Sequence, residues 1–134
     1  MARVLNLRAR ALESRDAIDL VANKWRIAVL HLLTPGPLRT RDLQRGLVDV
    51  SPKMLTQTLR SMERDGLIER TVFAAVPPRV EYHLSQMGRS LLGPLRELCL
   101  WARANSAERD EARRRFDHGA RVTDVTSATR TGGA

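Results

Sequence analysis

The chain has 134 residues, which is enough for one domain with a modest hydrophobic core. Its hydrophobic fraction of 43% is ordinary for a soluble fold, its formal net charge is +8, and no apolar run is long enough to cross a bilayer. One cysteine excludes an internal disulfide framework and a Cys-rich zinc site, and the N-terminus lacks the apolar segment of a signal peptide, so we predict a cytoplasmic protein with no membrane partner.

The excess positive charge comes from arginine, which accounts for 21 of the 23 basic residues. Its planar guanidinium suits contacts with phosphates and base edges. Residues 107–134 hold six arginines and five acids, so most of the excess lies in residues 1–106. We therefore predict that the folded domain, and not a basic tail, presents a surface to a polyanion.

The first half of the chain is predicted to be helical. Apolar residues recur at helical spacing over residues 16–33, with a break at Asn23. The segment Thr34-Pro35-Gly36-Pro37 ends the second of these helices, because proline lacks an N–H and restricts the residue before it. A short helix is predicted within residues 38–50, with Thr40 as its N-cap.

The second half has clearer boundaries. Ser51 and Pro52 are typical of an N-cap and a first helical residue, and Gly66 is typical of the left-handed residue that follows a helix. Alternating side chains over residues 67–74 and 79–84 predict a β-hairpin with a proline-stiffened loop. A last long helix with a broad apolar stripe is then predicted from residue 85 to about residue 105.

Beyond the last helix, a charged helical extension to about His118 is predicted, and a flexible segment after it. The predicted organisation is an N-terminal arm with a dimer contact (1–15), a DNA-binding domain that includes a dimerisation helix (16–106), and a charged, then flexible tail (107–134). The fold class is mainly α with a small β-hairpin.

The order of a short helix, a turn, a longer helix and a hairpin is that of a winged helix-turn-helix domain. In the longer helix Leu55, Leu59 and Met62 fall on one side and polar side chains on the other. Such a face is often just solvated, but its place in a basic helix-turn-helix favours contact with a DNA major groove. The predicted recognition residues are Ser51, Lys53, Thr56, Gln57, Arg60 and Arg64.

Further contacts are predicted around this helix. The N–H groups after Ser51 form a phosphate site at the helix N-terminus. Arg79, after two prolines, is predicted at the tip of the hairpin, where it would enter a minor groove; an ordinary turn with an exposed arginine is the alternative. The predicted phosphate and wing residues are Arg39, Thr40, Arg41, Arg45, Pro78 and Arg79.

Several short stretches occur in a specific order. They are Asn23-Lys24-Trp25, Gly36-Pro37-Leu38-Arg39, Ser51-Pro52-Lys53-Met54-Leu55-Thr56-Gln57-Thr58-Leu59, Glu63-Arg64-Asp65-Gly66-Leu67-Ile68, Val76-Pro77-Pro78-Arg79-Val80-Glu81-Tyr82 and Leu84-Ser85-Gln86-Met87-Gly88-Arg89-Ser90-Leu91. Together they resemble the HxlR-type winged helix-turn-helix transcriptional regulators of bacteria, over about residues 18–101. The resemblance implies a homodimer, built from N- and C-terminal helices, that binds a pseudo-palindromic double-stranded DNA operator.

The broad stripe of the last helix agrees with dimerisation, although packing within one subunit is the alternative. Thiol-sensing members of the family carry a cysteine about where this chain has Leu12, and the single cysteine here is predicted to be buried and inert. A small-molecule effector is a further possible partner. The residues predicted to form a dimer surface or an effector cleft are Trp25, Leu91, Leu95, Leu98, Cys99 and Trp101.

Catalysis is not indicated. The histidines (His31, His83 and His118) are scattered, and the sequence has no metal-site motif, no triad context and no glycine-rich phosphate loop. We predict no enzyme activity, metal or cofactor, and a regulator of transcription, most simply a repressor. The alternative is a winged-helix interaction module that binds an acidic protein and, unlike a regulator, does not discriminate among duplex sequences.

Overall fold

The computed structural model describes residues 2–129, and the side chains of residues 6–120. The protein is mainly helical with one antiparallel sheet of three strands in the order β1-β3-β2, which confirms the predicted fold class. The elements are α1 (Ala2–Asp19), α2 (Lys24–Leu33), β1 (Leu38–Arg39), α3 (Thr40–Gly46), α4 (Pro52–Arg64), β2 (Ile68–Phe73), β3 (Arg79–Leu84), α5 (Gln86–Ala104) and α6 (Ser106–Thr129).

The chain divides after Gly93, inside α5, into two compact units. In the second unit Leu95 is the one buried side chain among those described. The first unit contains the hydrophobic core, whose burial is the main term that stabilises it. That core consists of Val29, Leu30, Leu33, Leu43, Leu47, Val50, Leu55, Leu59, Met62, Leu67, Ile68, Tyr82 and Leu84.

The N-terminal segment is helical for longer than predicted. The sequence predicts an arm over residues 1–15, but α1 runs from Ala2 to Asp19. Its described side chains are exposed. A helix with no buried face needs no regular repeat of apolar residues, so the sequence pattern does not reveal it. The predicted break at Asn23 is confirmed, because its Oδ1 accepts a hydrogen bond of 2.8 Å from the Trp25 N–H as the N-cap of α2.

A short strand precedes α3 and moves its start by one residue. Leu38 and Arg39 form β1 and pair with Tyr82 and Glu81 of β3. The pairing keeps Arg39 extended, at φ −78° and ψ 158°, so Arg39 is the N-cap of α3. Thr40, predicted as the cap, is instead the first helical residue. A two-residue strand is too short to show alternation, which is why the sequence does not reveal it.

The helix α4 has the predicted caps. Ser51 Oγ accepts a hydrogen bond of 3.1 Å from the Met54 N–H, and Pro52 occupies the first turn. Gly66 follows the helix with φ of 76°. Its N–H and that of the next residue donate to carbonyls in the last turn of α4, the pattern of a Schellman motif. Both ends of α4 are therefore fixed by local hydrogen bonds.

The strands β2 and β3 form the predicted hairpin, in register from the Ile68–Leu84 pair to the Phe73–Arg79 pair. β3 has the predicted bounds, and β2 is one residue shorter at each end. The Ile68–Leu84 pair is buried in the core, whereas the loop of residues 74–78 is exposed. We call β2, β3 and this loop the wing.

Of the two C-terminal helices, α5 has nearly the predicted bounds and α6 extends further than predicted. α5 begins after Ser85, as expected, but α6 continues to Thr129 and not to about His118. A single glycine such as Gly119 lowers helix stability by only about 1 kcal/mol relative to alanine, and α6 continues past it. The rest of the predicted flexible tail, residues 130–134, lies outside the described residues.

Candidate nucleic-acid interface

The helix α4 presents a polar and basic face to solvent. Opposite this face, Leu55, Leu59 and Met62 are buried in the core. Within residues 6–120, the side chains of Lys53, Arg60 and Arg64 form no ion pair, so their charges are available to an external anion. The predicted recognition residues are all exposed: Ser51, Lys53, Thr56, Gln57, Arg60 and Arg64.

Hydrogen bonds at the start of α4 restrict what its groups can donate. Thr56 Oγ1 donates to the Pro52 carbonyl at 2.9 Å, so this hydroxyl can only accept from a ligand. Pro52 has no N–H, and the Met54 N–H already donates to Ser51 Oγ. Among the first N–H groups, that of Lys53 remains. The predicted phosphate site at this helix end is therefore smaller than the sequence suggests.

A groove joins the start of α3 to the wing, and we call it the arginine groove. The pairing of β1 with β3 creates it, because Arg39 lies opposite Glu81 in the sheet. Its volume is about 340 Å³. It is lined by Arg39, Thr40, Arg41, Pro77, Pro78, Arg79 and Val80. The structure thus brings most of the predicted phosphate and wing residues onto one surface.

Arg79 lies at the start of β3, opposite Phe73, and not at the hairpin tip as predicted. Its guanidinium carbon lies 4.2 Å from the centroid of the Phe73 ring, and its Nε lies 3.4 Å from Glu81 Oε1. An aromatic face and a carboxylate both attract a cation. They hold the guanidinium at the edge of the wing with the side chain still 40% exposed, while residues 74–78 form the tip.

Phe73 and Glu81 are the functional candidates that sequence reasoning missed. The hairpin register contains the signal for both of them. Once two prolines mark the loop, pairing outward from it places Phe73 opposite Arg79 and Thr71 opposite Glu81. Alternate residues of one strand then share a face, so Glu81 lies on the same side as Arg79.

Arg45 stands apart from the arginine groove. Its side chain is 76% exposed, and its Nη1 lies 3.9 Å from Asp42 Oδ1 on the same helix. An exposed pair of this kind contributes little free energy. The contact therefore does not prevent Arg45 from meeting a phosphate, and its predicted role stays a prediction.

At two positions of the second unit, the observed exposure of the side chain differs from what the predicted dimer surface requires. Leu95 is 4% exposed in the single chain. The prediction that a partner subunit buries this side chain is therefore wrong. Cys99 is exposed, which corrects its predicted burial. Leu98 and Trp101 are 55% and 59% exposed and remain available to a partner.

Trp25 and Leu91, the members of this set in the first unit, are half-buried. Lys24 Nζ lies 4.6 Å from the centroid of the Trp25 ring, a cation–π contact at the start of α2. Their predicted part in a dimer surface or an effector cleft stays a prediction.

The described part of the chain contains neither a candidate metal site nor a membrane-spanning helix. Its histidine, cysteine and acidic side chains form no group that could hold a metal ion. None of its helices combines the length and apolar character needed to span a membrane.

The sequence matches a known family over the span that contains this interface. The family model HxlR-like helix-turn-helix matches residues 20–110. The chain is 48% identical over 84 residues to the HTH-type transcriptional regulator YtcD of Bacillus subtilis (strain 168). The aligned stretch covers 63% of this chain and 67% of that protein. The chain is also 36% identical over 103 residues to the HTH-type transcriptional regulator YtfH of Escherichia coli (strain K12), which covers 77% of this chain and 82% of that protein.

Solved structures agree with the sequence matches. A transcriptional regulator of the MarR family from Enterococcus faecalis V583 superposes with a TM-score of 0.68 and 33% identity, over 75% of this chain and 92% of that one. The crystal structure of YtcD superposes with a TM-score of 0.65 and 42% identity, over 69% of this chain and 94% of that one. Both fold and sequence therefore relate the chain to regulators of transcription.

Proposed function

Because the chain belongs to the HxlR-like helix-turn-helix family of transcriptional regulators, we propose that it binds double-stranded DNA sequence-specifically and represses transcription. It acts as a homodimer on a pseudo-palindromic operator, and a small-molecule effector releases it. The observation that carries DNA binding is the exposed face of α4, where Lys53, Arg60 and Arg64 have no intramolecular ion pair within residues 6–120.

In this proposal α4 enters a major groove. Arginine forms paired hydrogen bonds with guanine and glutamine with adenine, so Arg60 and Gln57 read base edges. The arginine groove lies over the backbone, where Arg41 and Arg79 neutralise phosphates. Two subunits then contact half-sites about 34–36 Å apart, or a multiple of that distance.

The homodimer rests on exposed apolar surface in the second unit. Leu98 and Trp101 lie three residues apart on α5, and both are more than half exposed. Large apolar side chains that share an exposed helix face are typical of an interaction surface. A second copy of the chain covers them in the proposed complex.

Fluorescence anisotropy tests the proposal. The full chain is titrated into labelled DNA from upstream of its own gene and into a scrambled duplex of equal length, at two salt concentrations. A preference of about 10³-fold or more, with steep salt dependence, supports a sequence-specific regulator. If equal, weak binding occurs on both, selection from a random DNA pool decides. Failure to select any sequence would favour an acidic protein partner instead.

We expect Arg60→Ala and Gln57→Ala each to lower operator affinity by about 1–3 kcal/mol and to relax sequence preference. Each change removes a base-edge donor from an exposed position without disturbing the buried face of α4. Competition anisotropy with operator variants measures both effects. Arg113→Ala, in an exposed helical position with a surface ion pair, is the control and should bind as the unaltered protein. Unchanged affinity of Arg60→Ala for operator and scrambled DNA would contradict the assignment.

We expect a different pattern for Arg41→Ala and Arg79→Ala. Because these arginines neutralise phosphates, each change should weaken binding to all duplexes and reduce the slope of log affinity against log salt by about 1. Anisotropy over a salt series measures the slope. A loss confined to the operator, with the slope intact, would show that these side chains read bases or shape.

A further inference from the structure

Arg26 lies on α2, outside the DNA-facing surface, yet its guanidinium joins three segments of the first unit. Nη2 donates to Asp65 Oδ2 at 2.7 Å and to Ser61 Oγ. Nη1 donates to the Leu20 carbonyl, just after α1, at 3.3 Å. The side chain is 11% exposed, so it cannot reach a DNA phosphate without leaving these partners.

The bonds of Arg26 fix the end of α4 that carries two of the proposed DNA contacts. Ser61 follows Arg60 in the last turns, and Asp65 follows Arg64 as the C-cap. A carboxylate at the C-terminal end of a helix is disfavoured by the helix dipole, whereas a cation there is favoured. The guanidinium therefore compensates the charge of Asp65 and links this end of α4 to α2.

The position of Arg26 explains why this contact can orient α4 rather than just stabilise it. α2 is anchored in the core by Val29, Leu30 and Leu33. The guanidinium of Arg26 is therefore held on a rigid element. A planar guanidinium with fixed donors orients its partners more strictly than a flexible ammonium does. A shift of the α4 end would break two of its hydrogen bonds together.

We propose that Arg26 is a positioning residue for DNA recognition. It holds the C-terminal turn of α4 at the angle at which Arg60 and Arg64 meet the duplex, and it ties that angle to the Leu20 carbonyl at the end of α1. The inference rests on the proposed function, since orientation matters only if α4 reads DNA. If the Arg26 contact only stabilised the fold, its loss would lower affinity for all duplexes alike. If the contact positions α4, its loss lowers operator affinity selectively.

The test uses the full chain with Arg26→Gln, Asp65→Asn and the double variant, and the tightest duplex that the unaltered protein selects from a random pool. We expect each single change to lower affinity for this duplex about tenfold, with scrambled duplex bound nearly as before. The double variant should lose little more than either single one, because both remove the same contact. The salt slope should stay unchanged, since no phosphate contact is lost.

Controls separate the possible failures. Circular dichroism and thermal melting check that the variants fold. If one of them does not fold, Ser61→Ala replaces it, because this change removes only one neutral acceptor of the Arg26 guanidinium. Arg26→Lys should recover part of the preference, because it keeps the charge without the fixed fork. Equal losses on both duplexes, additive losses, or a reduced salt slope would overturn the positioning role alone. If the unaltered protein selects no sequence, the proposed function fails and this inference with it.

Discussion

Replacing Gly88 by alanine should lower the free energy of unfolding by about 3 kcal/mol. A Cβ at this position would lie 1.9 Å from the Leu67 carbonyl oxygen and 2.9 Å from the carbonyl carbon. Both are backbone atoms, so no side-chain rotation can relieve the overlap. The same carbonyl accepts a hydrogen bond of 3.1 Å from the Ser85 N–H, and a shift large enough to admit the Cβ would break it.

The contact joins the first turn of α5 to the turn that follows α4. Ser85 Oγ donates to the Gly66 carbonyl and accepts from the Gly88 N–H, so the two backbones are held together on both sides of the close approach. Loss of this packing should also loosen the C-terminal end of α4. We therefore expect Gly88→Ala to weaken DNA binding more than its position outside the interface suggests.

Urea unfolding followed by circular dichroism measures the effect, and the melting temperature should fall on the order of 10 °C. Gly119→Ala on α6 is the control, because apart from its chain neighbours and its own helix backbone no atom lies within 4 Å of the added Cβ. Alanine there should leave stability unchanged or raise it by about 0.5–1 kcal/mol. If both variants had the same free energy of unfolding as the unaltered protein, the close approach of Gly88 to the Leu67 carbonyl would be contradicted.

The parts of the fold predicted well from sequence are those set by local chemistry. Ser51, Pro52 and Gly66 mark the ends of α4 through hydrogen bonds and dihedral angles that involve only nearby residues. Its buried face follows from helical periodicity alone. Both strands of the hairpin likewise follow from alternation and from the prolines between them. These signals need no knowledge of the tertiary structure.

The parts predicted poorly depend on contacts far apart in sequence or on the lack of a buried face. β1 exists because Arg39 pairs with Glu81, which no window of sequence shows. The described side chains of α1, residues 6–19, are exposed, so no buried face marks this helix in the sequence pattern. The end of α6 is predicted from composition, because residues 119–134 are rich in Thr, Ser, Gly and Ala, and composition is weaker evidence than periodicity.

The candidate interface shows the same division. The face of α4 follows from periodicity, but the arginine groove required the β1–β3 pairing. Arg79 was expected at the tip because two prolines precede it, whereas the register places it one step inside, against Phe73. Arg26 lies within a predicted helix and carries no local signal. Its partners at Ser61 and Asp65 are known only once α2 packs on α4.

The double variant Leu98→Asp/Trp101→Asp should be monomeric and should bind the operator at least about 10²-fold more weakly than the unaltered protein. Burying two large apolar side chains contributes about 1.5–3 kcal/mol each, and a carboxylate in their place would be desolvated in the interface. A monomer also loses the high effective concentration that linkage gives the second half-site. Its affinity for a single half-site should change little.

Sedimentation and anisotropy on full and half operators measure these effects. Met87→Asp is the control, because it places one such carboxylate at a 53% exposed apolar position on the same helix. In the first turn of α5 an acid is favoured by the helix dipole, so this variant should remain dimeric in sedimentation. A double variant that stayed dimeric would remove Leu98 and Trp101 from the interface. An unaltered protein that sedimented as a monomer, even on operator DNA, would overturn the homodimer itself and leave the apolar face of α5 to a different partner.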